Sequence, residues 1–273
     1  MPESISEPNR EPKEEVKSIL RKEVGFSCPV TKRDGTDRCG NPFLSWHHFD
    51  PPWHVMHHQN PEGMIALCRD HHDSADGGAY TKEQLRTFKE RTRNQFVEIE
   101  RDIRWMRDEI LSVVGGTLYY KNPIIFHYRG NPVIWYERDD NGFLLLNIDL
   151  RPITSHHRLL MRNNFWHIDE EPEDLICPPS GKKIDVRYKD GDKLLIEFSN
   201  IESESDKKFQ KFQKEYPNVS ALSSLSFPLT TVEVTMTVKE KGILFNPKET
   251  RFNGGRMIGV VIENNDGPGL SFG

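Results

Sequence analysis

The spacing of apolar positions changes twice along the chain. In residues 12–23, Val16, Ile19 and Leu20 fall on one face, a short amphipathic helix. A longer pattern begins at Thr81, where Thr81-Lys-Glu-Gln84 is a capping box, the Thr hydroxyl and the Gln side chain each satisfying a first-turn N–H. Leu85, Phe88, Phe96, Ile99, Ile103, Met106, Ile110 and Val113 follow in steps of three and four, with Thr92 in the one polar slot. Gly115-Gly116 closes the run, glycine tolerating the left-handed C-cap. The spacing predicts one helix over residues 81–116, a rod of roughly 50 Å at 1.5 Å per residue. It would serve either as a coiled coil that makes a homodimer or as a strut packed on a second domain.

From residue 117 to 198 the period shortens. LYY, PIIFHYR, PVIWYER, FLLLNIDL, RLLMRNNFW, KIDVRY and KLLIEF are β-type runs separated by DDNG, PSG and KDGD turn signals. Such spacing fits antiparallel hairpins in a sandwich, a barrel or a rolled sheet. A short helix is expected over Asp206–Tyr216, bearing Lys207, Lys208, Lys211 and Lys214, and strands resume at 229–240, 243–246 and 256–263. The tail NNDGPGLSFG reads as turn-like and frayed, and no internal repeat is visible.

With 273 residues there is room for two modest domains. No run of about 18 apolar residues occurs, so no membrane span is expected. The start, MPESISEPNREPKEE, is acidic and Pro-rich, unlike a secretory signal, and residues 1–11 are expected to be a disordered arm of a cytoplasmic protein. A net charge of −5 argues against bulk coating of nucleic acid but leaves room for a local basic contact surface.

Residues 28–76 change the picture most. They hold three of the four cysteines and seven of the eleven histidines, punctuated by Gly and Pro as in short strands and loops held by ligands. The fourth, Cys177, stands in a β-rich context and reads as a buried or semi-buried thiol. Cys68-Arg-Asp-His71 is a two-ligand knuckle, and Cys28 and Cys39, separated by PVTKRDGTDR, are its natural partners. Cys28, Cys39, Cys68 and His71 would close a tetrahedral zinc site, structural because no position is left for water. A second set is His47, His48, His72 and Asp76. Trp46-His-His-Phe49 alternates like a strand, so one histidine can bind metal while its neighbour faces water or substrate. His72 and Asp76, four apart, share a face if a helix begins near residue 71. That set leaves an open coordination position, the requirement for a catalytic metal.

This arrangement resembles the HNH endonuclease family, whose ββα-metal fold is a hairpin, a loop and a helix around one divalent ion. The residues that carry the resemblance are Trp46-His-His-Phe-Asp-Pro51, Asn60-Pro-Glu-Gly-Met-Ile-Ala-Leu-Cys68 and Arg69-Asp-His-His-Asp-Ser-Ala-Asp76. It covers residues 24–90 and implies a ββα-metal domain over residues 12–80; together with the connecting helix expected over 81–116 and a mostly antiparallel β domain of unknown ligand or partner over 117–273, the chain is expected to be an α+β protein. It also implies metal-dependent hydrolysis of DNA phosphodiester bonds, with His47, His72 and Asp76 as metal ligands, His48 as general base and Asn60 as the residue that orients it. Members of the family in bacteria and their phages serve restriction, mobile-element and defence roles.

Two departures from the family pattern stand out. Many members carry the middle Asn about five residues before the knuckle Cys, where this chain has Gly63, and the last ligand is often His where this chain has Asp76. A carboxylate there favours Mg²⁺ or Mn²⁺, with Ni²⁺ or Zn²⁺ as other occupants. Arg86, Lys89, Arg91 and Arg93, opposed only by Glu90, are placed to contact phosphates or to form a solvated face. His54, His57 and His58 read as surface histidines, or as a substrate-side loop with Trp53 stacking on a base. The competing expectation is a zinc-stabilised nucleic-acid or protein-binding module without catalysis.

Overall fold

The computed structural model describes residues 9–31, 37–93, 95–222 and 224–273. Residues 1–8 of the expected arm lie outside them. The chain divides into two units, Met1–Ile99 with Asp174–Gly181, and Glu100–Glu173 with Lys182–Gly273. Both are mixtures of helix and sheet, the second dominated by strands. Among the described residues, no helix is long and apolar enough to cross a membrane.

The first unit begins with α1 (Glu14–Glu23), which buries Leu20 and, just beyond its end, Val24. The backbone of residues 28–30 then pairs with that of residues 39–41. Cys39 N–H donates to Val30 C=O at 2.8 Å and Cys28 N–H to Asn41 C=O at 2.9 Å, which brings the two cysteines together. Strands β1 (Leu44–His48) and β2 (Met64–Cys68) form an antiparallel pair running from Leu44 opposite Cys68 to His48 opposite Met64. All five residues of β2 are buried, which explains why Met-Ile-Ala-Leu-Cys is continuously apolar and does not alternate. Helix α2 (Arg69–Asp76) follows without a linker, and α3 (Lys82–Thr92) packs Leu85 and Phe88 on the same core.

The long helix expected over 81–116 is corrected. Its capping box is present, but α3 is eleven residues and ends at Thr92, whose hydroxyl turns back to the Phe88 carbonyl at 2.9 Å. Residues 99–102 and 111–114 are strands instead. A step of four is an even number, so Ile99 and Ile103 share a face of an extended chain as readily as of a helix. β-Branched Val113 and Val114 then favour the strand, where all four residues of Leu111–Val114 are buried. The homodimer expected through residues 81–116 loses the seam it rested on. Gly115 and Gly116 are no helix cap: both have positive φ in the two-residue turn between Leu111–Val114 and Thr117–Tyr120.

The expected domain limits shift as well. Residues 174–181 return to the first unit, drawn there by Arg21. Its Nε and Nη2 donate to the Asp174 carboxylate at 2.8 and 2.6 Å, and the two residues are 2 % and 8 % exposed. Leu44 N–H also donates to the carbonyl of buried Cys177. Arg21→Ala would strand the Asp174 carboxylate, so it should cost about 3–5 kcal/mol in chemical denaturation. The pair replaced together by Met and Leu should cost far less, and equal losses in the two proteins would refute this account.

In the second unit, strands Ile124–Tyr128, Asn131–Arg138, Leu144–Ile148, Leu160–Arg162 and Phe165–Ile168 pair antiparallel in chain order. Arg-Leu-Leu-Met-Arg-Asn-Asn-Phe-Trp, expected as one strand, is thus a hairpin turned by Asn163 and Asn164, both at positive φ. A second set, Lys183–Arg187, Lys193–Ile201, Leu229–Val238, Ile243–Asn246, Glu249–Phe252 and Gly255–Met257, is also antiparallel in order. Other pairings are parallel, joining Leu111–Val114 to the 229–238 strand, Thr117–Tyr120 to Val261–Glu263, and Ile124–Tyr128 to Pro268–Phe272. The last corrects the expected frayed tail: Phe272 stacks on Phe252 with ring centroids 3.9 Å apart. Helix α4 (Lys207–Glu215), capped by Asp206, matches the expected span and buries Phe209.

Candidate functional site

The cysteine-histidine set of the first unit comes together as its spacing predicts. Cys68 stands at the N-cap of α2 and His71 on its first turn, with Sγ and Nδ1 3.2 Å apart. Cys28 Sγ lies 3.3 Å from the same Nδ1, and Cys39 Sγ 3.8 Å from Cys68 Sγ. Ligand atoms around a tetrahedral zinc, with Zn–S about 2.3 Å and Zn–N about 2.0 Å, stand roughly 3.5–3.8 Å apart. The four residues could therefore hold a metal such as zinc. Hydrogen bonds from Cys28 and Cys68 hold the Cys39 thiol well below its ordinary range. The same bonds, with burial, push Cys28 up, so the sulfurs share protons that a cation would displace. Arg38 ties down the region by donating to the carbonyls of Val24, Ser27 and Cys28.

The second group uses the next residue of α2. Consecutive helical residues diverge by about 100°, so His72 turns away from the cysteines and faces β1. His47 Nδ1 lies 3.1 Å and His72 Nδ1 3.5 Å from the Asp76 carboxylate. The ligand atoms of the three residues all fall within 4.8 Å of one another. His72 Nε2 is 3.2 Å from the Trp46 carbonyl; as its donor, it leaves Nδ1 the lone pair a metal needs. Burial and the neighbouring His72 lower the pKa of His47, against the pull of Asp76, which keeps the imidazole neutral and able to ligate.

His48 leaves the strand on the opposite side from His47 and packs edge-on against Trp53 and His58. Its Nε2 donates to the His58 carbonyl at 3.1 Å, so the lone pair sits on Nδ1. Burial, then the neighbouring His58, pushes the pKa of His48 down to about 4. His47, His48 and Asp76 line one open cavity of about 470 Å³ with Arg10, Trp53, His54, Tyr80 and Lys82.

His58, read from the sequence as a surface residue, is 8 % exposed and organises the loop between the strands. Its Nε2 donates to the Pro51 carbonyl at 2.8 Å and its Nδ1 accepts from Asn60 N–H at 3.1 Å. Gly63 makes room for it: a Cβ there would meet the Asp50 carbonyl oxygen at 2.1 Å and the His58 ring at 2.9 Å. The histidine thus holds the carbonyl that orients His48. Asn60 is corrected from its expected place. Its exposed side chain caps the short turn Pro61–Gly63 by accepting from Glu62 N–H, and only its backbone touches the loop tie.

The basic run divides. Lys89 is 4 % exposed, with its ammonium on the carbonyls of Pro61 and Met64 and on Glu23, so it is a structural group and not a phosphate contact. Arg86 pairs with Asp50 and Arg93 with Glu23, both at the surface, and Arg91 is exposed. His54 and His57 are exposed as expected, and His57 stacks on Trp53 with centroids 4.5 Å apart. Two participants had no sequence signal. One is His58, lost among three loop histidines, and the other is Arg10, on a segment read as disordered. No protein-family model, curated protein or solved structure matches the chain.

Proposed function

We propose that the first unit is a metal-dependent endonuclease of the HNH type, hydrolysing DNA phosphodiester bonds. The observation that carries this reading is the pairing of two features in one cavity. Ligand atoms of His47, His72 and Asp76 converge, His47 and Asp76 of that set line the cavity, and a neutral His48 lines it as well with a free Nδ1. The cysteine set has the donors of a closed zinc site and would serve structure alone. In the second set a divalent ion such as Mg²⁺ or Mn²⁺ would supply stabilisation of charge on the phosphate and the leaving oxygen.

The residues of the chain would do the rest. His48 Nδ1 accepts a proton from the attacking water, whose oxygen forms the new P–O bond as the bond to the leaving sugar oxygen breaks. The leaving oxygen takes a proton from solvent. His58 and the Pro51 carbonyl keep the His48 ring turned correctly, and Trp53 packs against that ring at the cavity.

Plasmid DNA incubated with the full chain and Mg²⁺, Mn²⁺ or Ni²⁺ should be nicked or linearised, and EDTA should stop it. Intact plasmid with every metal would end the nuclease reading and leave a zinc-stabilised binding module.

A further inference from the structure

The cavity beside His47 and His48 has a cationic lining residue that the proposed reaction does not yet use. Arg10 borders it with an exposed side chain and, among the described residues, has no anionic partner. The other lining cation is engaged: Lys82 Nζ sits 2.8 Å from Asp50, which also takes Arg86.

The segment carrying Arg10 is held in place by one side chain. Gln59 Nε2 donates to the carbonyls of Asn9 at 2.8 Å and Glu11 at 3.3 Å, while its Oε1 accepts from Lys13 N–H at 3.1 Å. Asn9 Oδ1 accepts from Glu11 N–H, and Glu11 pairs with Lys17 of α1, which fixes the backbone on both sides of Arg10. Gln59 follows directly after His58, the residue that holds the His48 loop. One short stretch thus orients the base and docks the arginine over the same cavity.

A guanidinium without a protein carboxylate, beside a site for phosphodiester hydrolysis, matches the fork of two phosphate oxygens. We propose that Arg10 contacts the non-bridging oxygens of the substrate phosphate at this cavity, and that Gln59 is the positioning residue that presents it. The proposal rests on the nuclease reading for the identity of its ligand. Both residues lie at the surface and their replacement leaves the core intact.

The test uses the full chain and a fluorescein-labelled DNA duplex of 20 base pairs, its anisotropy titrated without added Mg²⁺, Mn²⁺ or Ni²⁺ at several salt concentrations, with plasmid cleavage run in parallel. One phosphate contact contributes about 0.9 to the slope of log K against log [salt]. Arg10→Ala should reduce the slope by about that amount and lower kcat/KM for cleavage about tenfold or more. Arg10→Lys should keep the slope and recover part of the rate. Gln59→Ala should weaken binding and cleavage while leaving the salt slope closer to wild type than Arg10→Ala does. If Arg10→Ala binds with the wild-type slope and cuts at the wild-type rate, the contact is wrong and the nuclease reading survives. If wild type cuts nothing but Arg10→Ala still loses the slope increment, the contact stands and the nuclease reading falls.

Discussion

Replacing His48 by alanine should lower metal-dependent DNA cleavage by about 10²–10⁴-fold, the range a positioned general base contributes. The prediction follows from the geometry around the ring. Its Nε2 proton is committed to the His58 carbonyl, leaving Nδ1 as the one basic atom. His48 contributes nothing to the ligand set of His47, His72 and Asp76, so the variant should retain its affinity for the second cation. The same environment fixes the sign of the pH dependence. Because burial and His58 bring the pKa down to about 4, the neutral form persists below the ordinary imidazole range near 6.5. The acid limb of kcat/KM should therefore lie well below pH 6.5, and it should vanish with the ring. A variant that cuts as fast as wild type would remove His48 from the mechanism.

The cysteine set should have the larger effect on folding. Purified protein is expected to carry one tightly held zinc equivalent, lost from Cys39→Ser and Cys68→Ala. Structural zinc contributes on the order of 10 kcal/mol or more to small folds, comparable to the whole stability of a domain. Removing it should abolish the thermal transition of the first unit and leave that of the second, whose buried core of Leu111, Tyr120, Phe209 and Leu229 contains none of these ligands. Zinc affinity should fall as pH is lowered, since Cys28 must give up a proton that burial and its neighbours hold. An unchanged melting curve after chelation, with cleavage fully restored by Mg²⁺ alone, would show that the cysteines hold no metal.

The features legible in the sequence were those whose cause is local. Cys68 and His71 lie on one turn, the Thr81 capping box is complete in four residues, and most of the hairpins announce their turns. What failed to show were features decided at a distance. The four-residue steps of the run from Leu85 to Val113 fit helix and strand alike, and the neighbouring strands Thr117–Tyr120 and Leu229–Val238 decide its last part. The return of residues 174–181 depends on a carboxylate meeting Arg21 across 153 positions. His58 is recognisable only beside Gly63, because the glycine leaves the space that the ring fills. Asn60 misled for the converse reason: its residue type suits the expected role, but its position makes it the cap of a turn.

Helix α2 joins the two metal sets through adjacent residues, His71 and His72, and is only eight residues long. A helix of that length does not stay wound on its own in water, where about 12–15 residues are the margin. Its first turn is pinned through Cys68 and His71, whereas His72 and Asp76 share a face only while the turns beyond are wound. With zinc as the occupant of the cysteine set, the protein acquires a fixed order of assembly. Zinc would then seat first, and a cation in the second set would find its ligands only afterwards. A newly made chain starved of zinc would thus stay inert even with magnesium plentiful, so zinc supply would decide when the cavity becomes competent.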